Sequence, residues 1–266
     1  MADTHPGRAA KLLAVIFLAA SLIWAPGCTK SFNYVKGLFG YDTEPEFVIG
    51  ADEAANLASK AQERMDADDY AEAAQLWQQL RDQYLASPYS MLGALRLGDA
   101  YYLNEKYIEA ANAYDTFEKR FPLSDAIPYV LYQKGMSYYQ QMMGIDRDQT
   151  PAVQTVRILG SLVETYPDDK YAAMAKARIA EAQNNMAGHE FYVGEFYFKR
   201  KDYRAAMNRF MGLITYYPDS GYHHRAYNYI AQYRDLVARG EIDEGNQRPS
   251  EYDSPFTIID INEPRY

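Results

Sequence analysis

GDAYYLNEKYIEAANAYDTFEKRFP, residues 98–122, decides the fold, because GEFYFKRKDYRAAMNRFMGLITYYP, residues 194–218, repeats its landmarks position for position. Each stretch opens on a glycine, Gly98 or Gly194, with a tyrosine three residues on (Tyr101, Tyr197) and another six further (Tyr107, Tyr203). Each then carries an alanine (Ala110, Ala206), an aromatic residue (Tyr114, Phe210) and a closing proline (Pro122, Pro218). Tyr70, Ala73 and Trp77 repeat the middle of the pattern once more. Two helices approach closely only where a side chain is small. Gly98 and Ala110 therefore mark the contact between the first and second helix of a pair, and the aromatic residues fill the space around it. The proline ends the second helix, since it has no N–H to continue the ladder. One helix pair cannot bury its apolar face alone, so several must stack.

This spacing is that of the tetratricopeptide repeat, whose helix pairs build a solenoid that binds partners. The first unit runs roughly from Ala54 to Ser87, with Ala61 in place of the glycine, Leu85 in place of the proline and a late Pro88. The second runs from Met91 to Ser124 and fits best. The third starts near Pro128 with Gly135 and Tyr138 in register, then takes an insertion at 144–150 before its second helix resumes at Pro151 and ends at Tyr166-Pro167. An extra stretch, Lys170 to Met186, itself reads as helix ahead of the fourth unit, Ala187 to Ser220. A fifth unit opens with a good first helix, Tyr222 to Arg239, and no second helix is recognisable after it. Three prolines and one glycine make 241–266 read as an irregular tail, in which Phe256–Ile261 is the one β-favouring run. The expected class is all-α: a superhelical solenoid of about five helix pairs over 54–240.

The N-terminus reads as an export signal. Arg8 and Lys11 precede an apolar run, Leu12 to Ala25, that is too short to span a bilayer and right for a signal core. It ends in Ala25-Pro26-Gly27-Cys28, and Cys28 is the only cysteine, so it makes no internal disulfide. Lipidation of Cys28 after removal of residues 1–27 accounts for both facts; ordinary cleavage near Ala19-Ala20-Ser21 is the rival. Removing 1–27 takes away Arg8, Lys11 and Asp3, so the net charge of −9 becomes −10. Residues 28–53 then form a lipidated arm, and Thr29 after the cysteine points to the outer membrane. A lipidated acidic solenoid sits on a membrane face, and without a basic stripe a nucleic-acid partner is not expected.

No catalytic or metal constellation holds, and no cofactor is expected. His189-Glu190 lacks the spaced second histidine of a zinc helix, and His223 and His224 point about 100° apart on a helix. Asp68-Asp69 and Asp168-Asp169 lie at helix ends and read as caps. Binding residues are easier to find. The register puts Leu92, Leu95, Asp99 and Tyr102 on the inward face of the second unit, and Tyr129, Tyr132, Met136 and Tyr139 on that of the third. Phe191, Glu195 and Phe198 follow in the fourth, and Tyr222, Arg225, Tyr229 and Tyr233 in the fifth. Such an aromatic lining suits an extended or helical segment that ends in aromatic residues.

The chain resembles the BamD family, lipoproteins of the outer-membrane β-barrel assembly machinery. The resemblance covers about Ala54 to Gly240. It rests on Gly135-Met-Ser-Tyr-Tyr139 with the insertion Gly144-Ile-Asp-Arg-Asp148 and Pro151, and on Glu164-Thr-Tyr-Pro-Asp168 with Tyr171. Met186-Ala-Gly-His-Glu190, Tyr197-Phe-Lys-Arg200 and Ala205-Ala-Met-Asn-Arg209-Phe210 complete it. The resemblance implies a non-enzymatic scaffold anchored on the periplasmic leaflet. It implies that the N-terminal units receive unfolded outer-membrane β-barrel proteins through their C-terminal signal, on a groove of Gln62, Met65, Leu95, Asp99, Tyr102, Tyr129, Tyr132, Met136 and Tyr139. It implies that the C-terminal units dock the last POTRA domain of BamA, with Asn208 and Arg209 at that contact, alongside other Bam lipoproteins. The competing class is a periplasmic tetratricopeptide adaptor for envelope or cell-wall assembly, which would carry an N-terminal coiled coil rather than a lipid box.

Overall fold

A computed structural model describes residues 51–242. The signal at 1–27, Cys28, the arm up to residue 50 and the tail from 243, including Phe256–Ile261, lie outside the described residues. Those described are helical throughout: α1 (Ala51–Asp66), α2 (Tyr70–Gln83), α3 (Tyr89–Leu103), α4 (Tyr107–Arg120), α5 (Ile127–Tyr139), α6 (Thr150–Thr165), α7 (Lys170–Lys199), α8 (Tyr203–Tyr216) and α9 (His223–Ala238). Each packs on its neighbour in sequence, the signature of an all-α repeat. Among the described residues no helix is long and apolar enough to cross a membrane.

The repeat is visible in the turns. Asp68, Glu105 and Lys201 adopt left-handed backbone at φ 58°, 58° and 64°. They occupy the same place in the α1–α2, α3–α4 and α7–α8 turns, and a non-glycine residue there costs about 1–2 kcal/mol. That cost is offset where Asp69 and Asp202 follow, because their side chains accept from the backbone N–H of Glu72 and Ala205 and cap the second helix. The second helices also end alike. Tyr84, Phe121, Tyr166 and Tyr217 each leave helical geometry at φ between −115° and −131° while still donating to the carbonyl four residues back. Leu85 follows the first of these and proline the other three. The missing proline of the first unit therefore leaves its geometry intact.

The contact inside each pair is set by one small residue. A β-carbon on Gly98 would lie 2.5 Å from the ring of Tyr114, one on Gly135 2.3 Å from Leu159, and one on Gly194 2.7 Å from Phe210. Trp77, Tyr114, Phe117 and Phe210 are the largest fully buried side chains. At about 25 cal/mol per Å² of apolar surface, these rings supply a large share of the stabilisation.

The structure departs from the sequence reading at α7. The extra stretch 170–186 and the first helix of the fourth unit form one uninterrupted 30-residue helix. Its first half packs Ala182, with Ile179 and Met186, on Ala152 and Val156 of α6. Its second half packs Ala187 and Phe191 on Ala206, Phe210 and Leu213 of α8 and on Ala226 and Ile230 of α9. A single helix thus belongs to two apolar clusters. No second helix of the fifth unit occurs among the described residues.

Candidate functional site

The inward positions divide into two groups. Met65, Leu95, Asp99 and Met136 are buried, at 9%, 1%, 4% and 8% exposure, and have no surface to offer a partner in this conformation. Gln62, Tyr102, Tyr129, Tyr132 and Tyr139 are half-buried. For Leu95 and Asp99 the reason lies in α3, which is covered on nearly every side from Leu92 to Ala100, so its helical period does not single out one inner face.

Gln62 bonds Asp66 on its own helix at 2.8 Å, and the four half-buried tyrosines each meet further aromatic or charged side chains. Tyr102 stands edge-on to Tyr107 at 5.5 Å and accepts from Gln140 Nε2 at 3.2 Å. Tyr129 and Tyr132 both contact the ring of Tyr171, with centroids 5.4 Å apart in each case. The Arg178 guanidinium lies 5.2 Å over the Tyr139 ring. Tyr139 donates to the Glu181 carboxylate, which raises the phenol's pKa and lowers that of the acid. Arg178 pairs with the same carboxylate at 2.9 Å. Tyr171, Arg178 and Glu181 come from the first half of α7 and were not among the residues expected here. Their signal was available, since 171, 174, 178 and 181 recur at helical spacing and Met174 between them is half exposed. Chemically the surface offers flat apolar faces, phenol hydroxyls and one cation already turned toward an anion.

Beneath it, Asp99 is a buried acceptor rather than a groove residue. Its Oδ1 accepts from Tyr114 at 2.8 Å and from Tyr129 at 2.7 Å, and its Oδ2 from Arg96 Nη1 at 3.0 Å. This ties α3, α4 and α5 together. Burial, then the neighbouring carboxylate, pushes both phenols well above their usual range. The Tyr129 hydroxyl is enclosed on Asp99 while part of its ring remains open. A partly buried bridge accompanies it, where Lys134 Nζ reaches Asp115 at 2.6 Å and Glu118 at 3.0 Å.

At the other end, Asn208 is exposed and Arg209 half-buried on α8. Arg209 Nη1 lies 3.0 Å from Glu190 Oε2 on the second half of α7. The pair spans two helices, so this arginine holds an internal partner. Nearby, Tyr229 donates to Glu195 at 2.7 Å and Arg225 stacks 4.1 Å over Phe191.

Known proteins share this sequence pattern. The model of the YfiO family, described as outer membrane lipoprotein, matches residues 51–246. The outer membrane protein assembly factor BamD of Caulobacter vibrioides is 28% identical over 208 residues, 78% of this chain and 64% of that one. That of Pasteurella multocida is 30% identical over 162 residues, 57% of this chain and 62% of its own. That of Haemophilus influenzae is 28% identical over 223 residues, covering 80% and 79%. The match therefore spans less than two thirds of the length of the first two relatives.

Proposed function

The chain belongs to the YfiO family of outer membrane lipoproteins, and we propose that it is a non-enzymatic scaffold for outer membrane protein assembly. In this reading residues 1–27 are removed and Cys28 carries the lipid that holds 28–53 and the solenoid 54–240 on the periplasmic face of the outer membrane. Unfolded β-barrel proteins present their aromatic C-terminal segments to the surface of α3, α5 and the first half of α7. The C-terminal units dock BamA, through its last POTRA domain, within a complex of further Bam lipoproteins.

The observation that supports it is the aromatic surface itself. Tyr102, Tyr132, Tyr139 and Tyr171 are partly open rings, Tyr132 lies against Tyr171, and Arg178 stands over Tyr139 to meet an acidic group. Tyrosine is enriched at binding hot spots because a large rigid ring loses little entropy on docking. Tyr102→Ala and Tyr132→Ala are each expected to weaken binding of a C-terminal β-barrel peptide by about 1–2 kcal/mol. Titration of the labelled peptide reads this, and unchanged affinity in both variants removes the surface from the function.

The docking end is tested by purifying the lipidated protein from detergent-solubilised envelopes. Arg209→Glu is expected to release a POTRA-bearing barrel protein. The substitution also places two acids together at 190 and 209, so the swap Arg209→Glu with Glu190→Arg runs beside it. The swap should restore thermal stability and leave the partner unbound. If the swap restores binding as well, Arg209 acts by holding α7 to α8 and does not touch BamA.

A further inference from the structure

The insertion at 144–150 is absorbed by no part of the function above, and its contacts are specific. It crosses the middle of α7. Asn185 Nδ2 donates to the Met143 carbonyl at 3.0 Å, and His189 Nδ1 lies 2.7 Å from the Ile145 carbonyl. A carbonyl only accepts, so His189 Nδ1 carries its proton there. Between these two bonds the Ile145 side chain meets the helix at Gly188, where an added β-carbon would lie 2.6 Å from Ile145 Cγ2. The same β-carbon would lie 2.9 Å from the Tyr222 hydroxyl, on the turn before α9. Asn184 Oδ1 accepts from the Gly221 N–H of that turn at 3.2 Å. Positions 184, 185, 188 and 189 are thus gripped by segments from two different units.

The gripping loop is stiffened from within. Asp148 Oδ1 accepts from the Thr150 N–H at 3.1 Å and from its hydroxyl at 2.8 Å. Gln149 Nε2 donates to the carbonyls of Gly144 and Arg147, and the Arg147 N–H donates to Gly144. The grip falls where α7 passes from one apolar cluster, ending at Ala182 and Met186, to the next, beginning at Ala187. A 30-residue helix is about 45 Å long, and helices of that length bend unless supported. Glycine is a poor helix former, and here it is required by close approach from two sides.

We propose that residues 143–149 are a clasp that fixes the direction of α7 at 184–189 and so sets the angle between the half of the solenoid carrying the tyrosine surface and the half carrying Arg209. His189, Asn185 and Gly188 are its positioning residues. The tyrosine surface takes Tyr171 and Arg178 from one half of α7, and Glu190 pairs with Arg209 from the other. With the clasp closed, the two ends move as one body. With it open, α7 bends between them.

The test is a distance measurement between spin labels at Glu63→Cys on α1 and Gln232→Cys on α9, both exposed, in the full chain carrying Cys28→Ser. The parent should give one narrow distribution. Asn185→Ala with His189→Ala should broaden it at least about twofold while far-UV helicity is unchanged, and Gly188→Ala should do the same by displacing Ile145 and Tyr222. A width equal to the parent's in both variants overturns the proposal. Hydrogen exchange of the unmodified protein gives an answer that needs no variant to fold. Amides at 184–189 should exchange no faster than those at 176–182, and faster exchange at the grip likewise overturns it. Neither readout depends on partner binding, so its failure is distinct from failure of the scaffold reading.

Discussion

Replacing Asp99 with alanine is expected to destabilise the solenoid by about 3–5 kcal/mol, the range for removing one member of a buried ion pair. Three partners lose their acceptor at once. The Tyr114 and Tyr129 hydroxyls are left enclosed without it, each at about 1–3 kcal/mol of desolvation before relaxation. The Arg96 guanidinium, whose Nε and Nη2 already lack a partner among the described residues, loses its bond at Nη1 as well. Such terms share partners and do not add, which keeps the total inside the range given. Asp99→Asn should cost less, since its amide oxygen still accepts from both phenols while its NH₂ faces Arg96. Combining Asp99→Ala with Arg96→Met should recover part of the loss, because the stranded charge is then gone. Urea midpoints of the four proteins decide the matter. A loss below about 1 kcal/mol for Asp99→Ala would mean that water reaches the network.

This acid illustrates what a helical register conveys and what it omits. The spacing from Gly98 to Pro122 carried the pair geometry, because each landmark residue has one steric task that no other residue type does as well. A β-carbon at Gly98, Gly135 or Gly194 would collide with the very ring or side chain that fills each pair. Burial within the first helix was another matter. Asp99 sits on the inward register, yet α4 and α5 both reach it, and pattern alone assigns a residue to a face without saying what covers that face. The long helix escaped for a related reason. Asn184-Asn185-Met186-Ala187-Gly188 has the composition of a helix boundary, and local propensity argues for one. The contacts from Met143, Ile145 and Tyr222 override it. With 170–186 split off from the helix that continues through Ala187, Tyr171 and Arg178 had no face to belong to, and their place beside Tyr132 and Tyr139 stayed hidden. Arg209 was given an outside partner through the family resemblance alone; its internal partner Glu190 lies on another helix, a proximity that exists only after the pairs have packed.

The tyrosines that fill those contacts also make the fold sensitive to alkali. Tyr217 and Tyr229 are pushed up to about 12, burial being the first cause in both, with Glu190 or Glu195 alongside. Tyr114 and Tyr129 are held well above the usual value, again by burial first and then by Asp99. In the unfolded chain a phenol ionises near 10. The folded state therefore keeps protons that the unfolded state gives up. The stabilising contribution is complete below pH about 10 and is lost as pH rises toward about 12 and beyond. Each phenol that stays neutral only in the fold contributes a slope of about 1.4 kcal/mol per pH unit in that window. Tyr114 and Tyr129, whose hydroxyls are enclosed, should give close to the full slope, and Tyr229, which is more open, a fraction of it. A spectrophotometric titration at 295 nm, followed together with helicity, should give two stages. Exposed phenols appear first, near pH 10, with helicity intact. The enclosed ones should appear only as the helix signal collapses. The assignment rests on a control: Tyr114→Phe with Tyr129→Phe should flatten the dependence of stability on pH above 10, whatever it does to stability at neutrality. A single phenolate stage near 10 with helicity preserved to pH 12 would show that these hydroxyls are open to solvent, and the buried junction of α3, α4 and α5 would have to be redrawn.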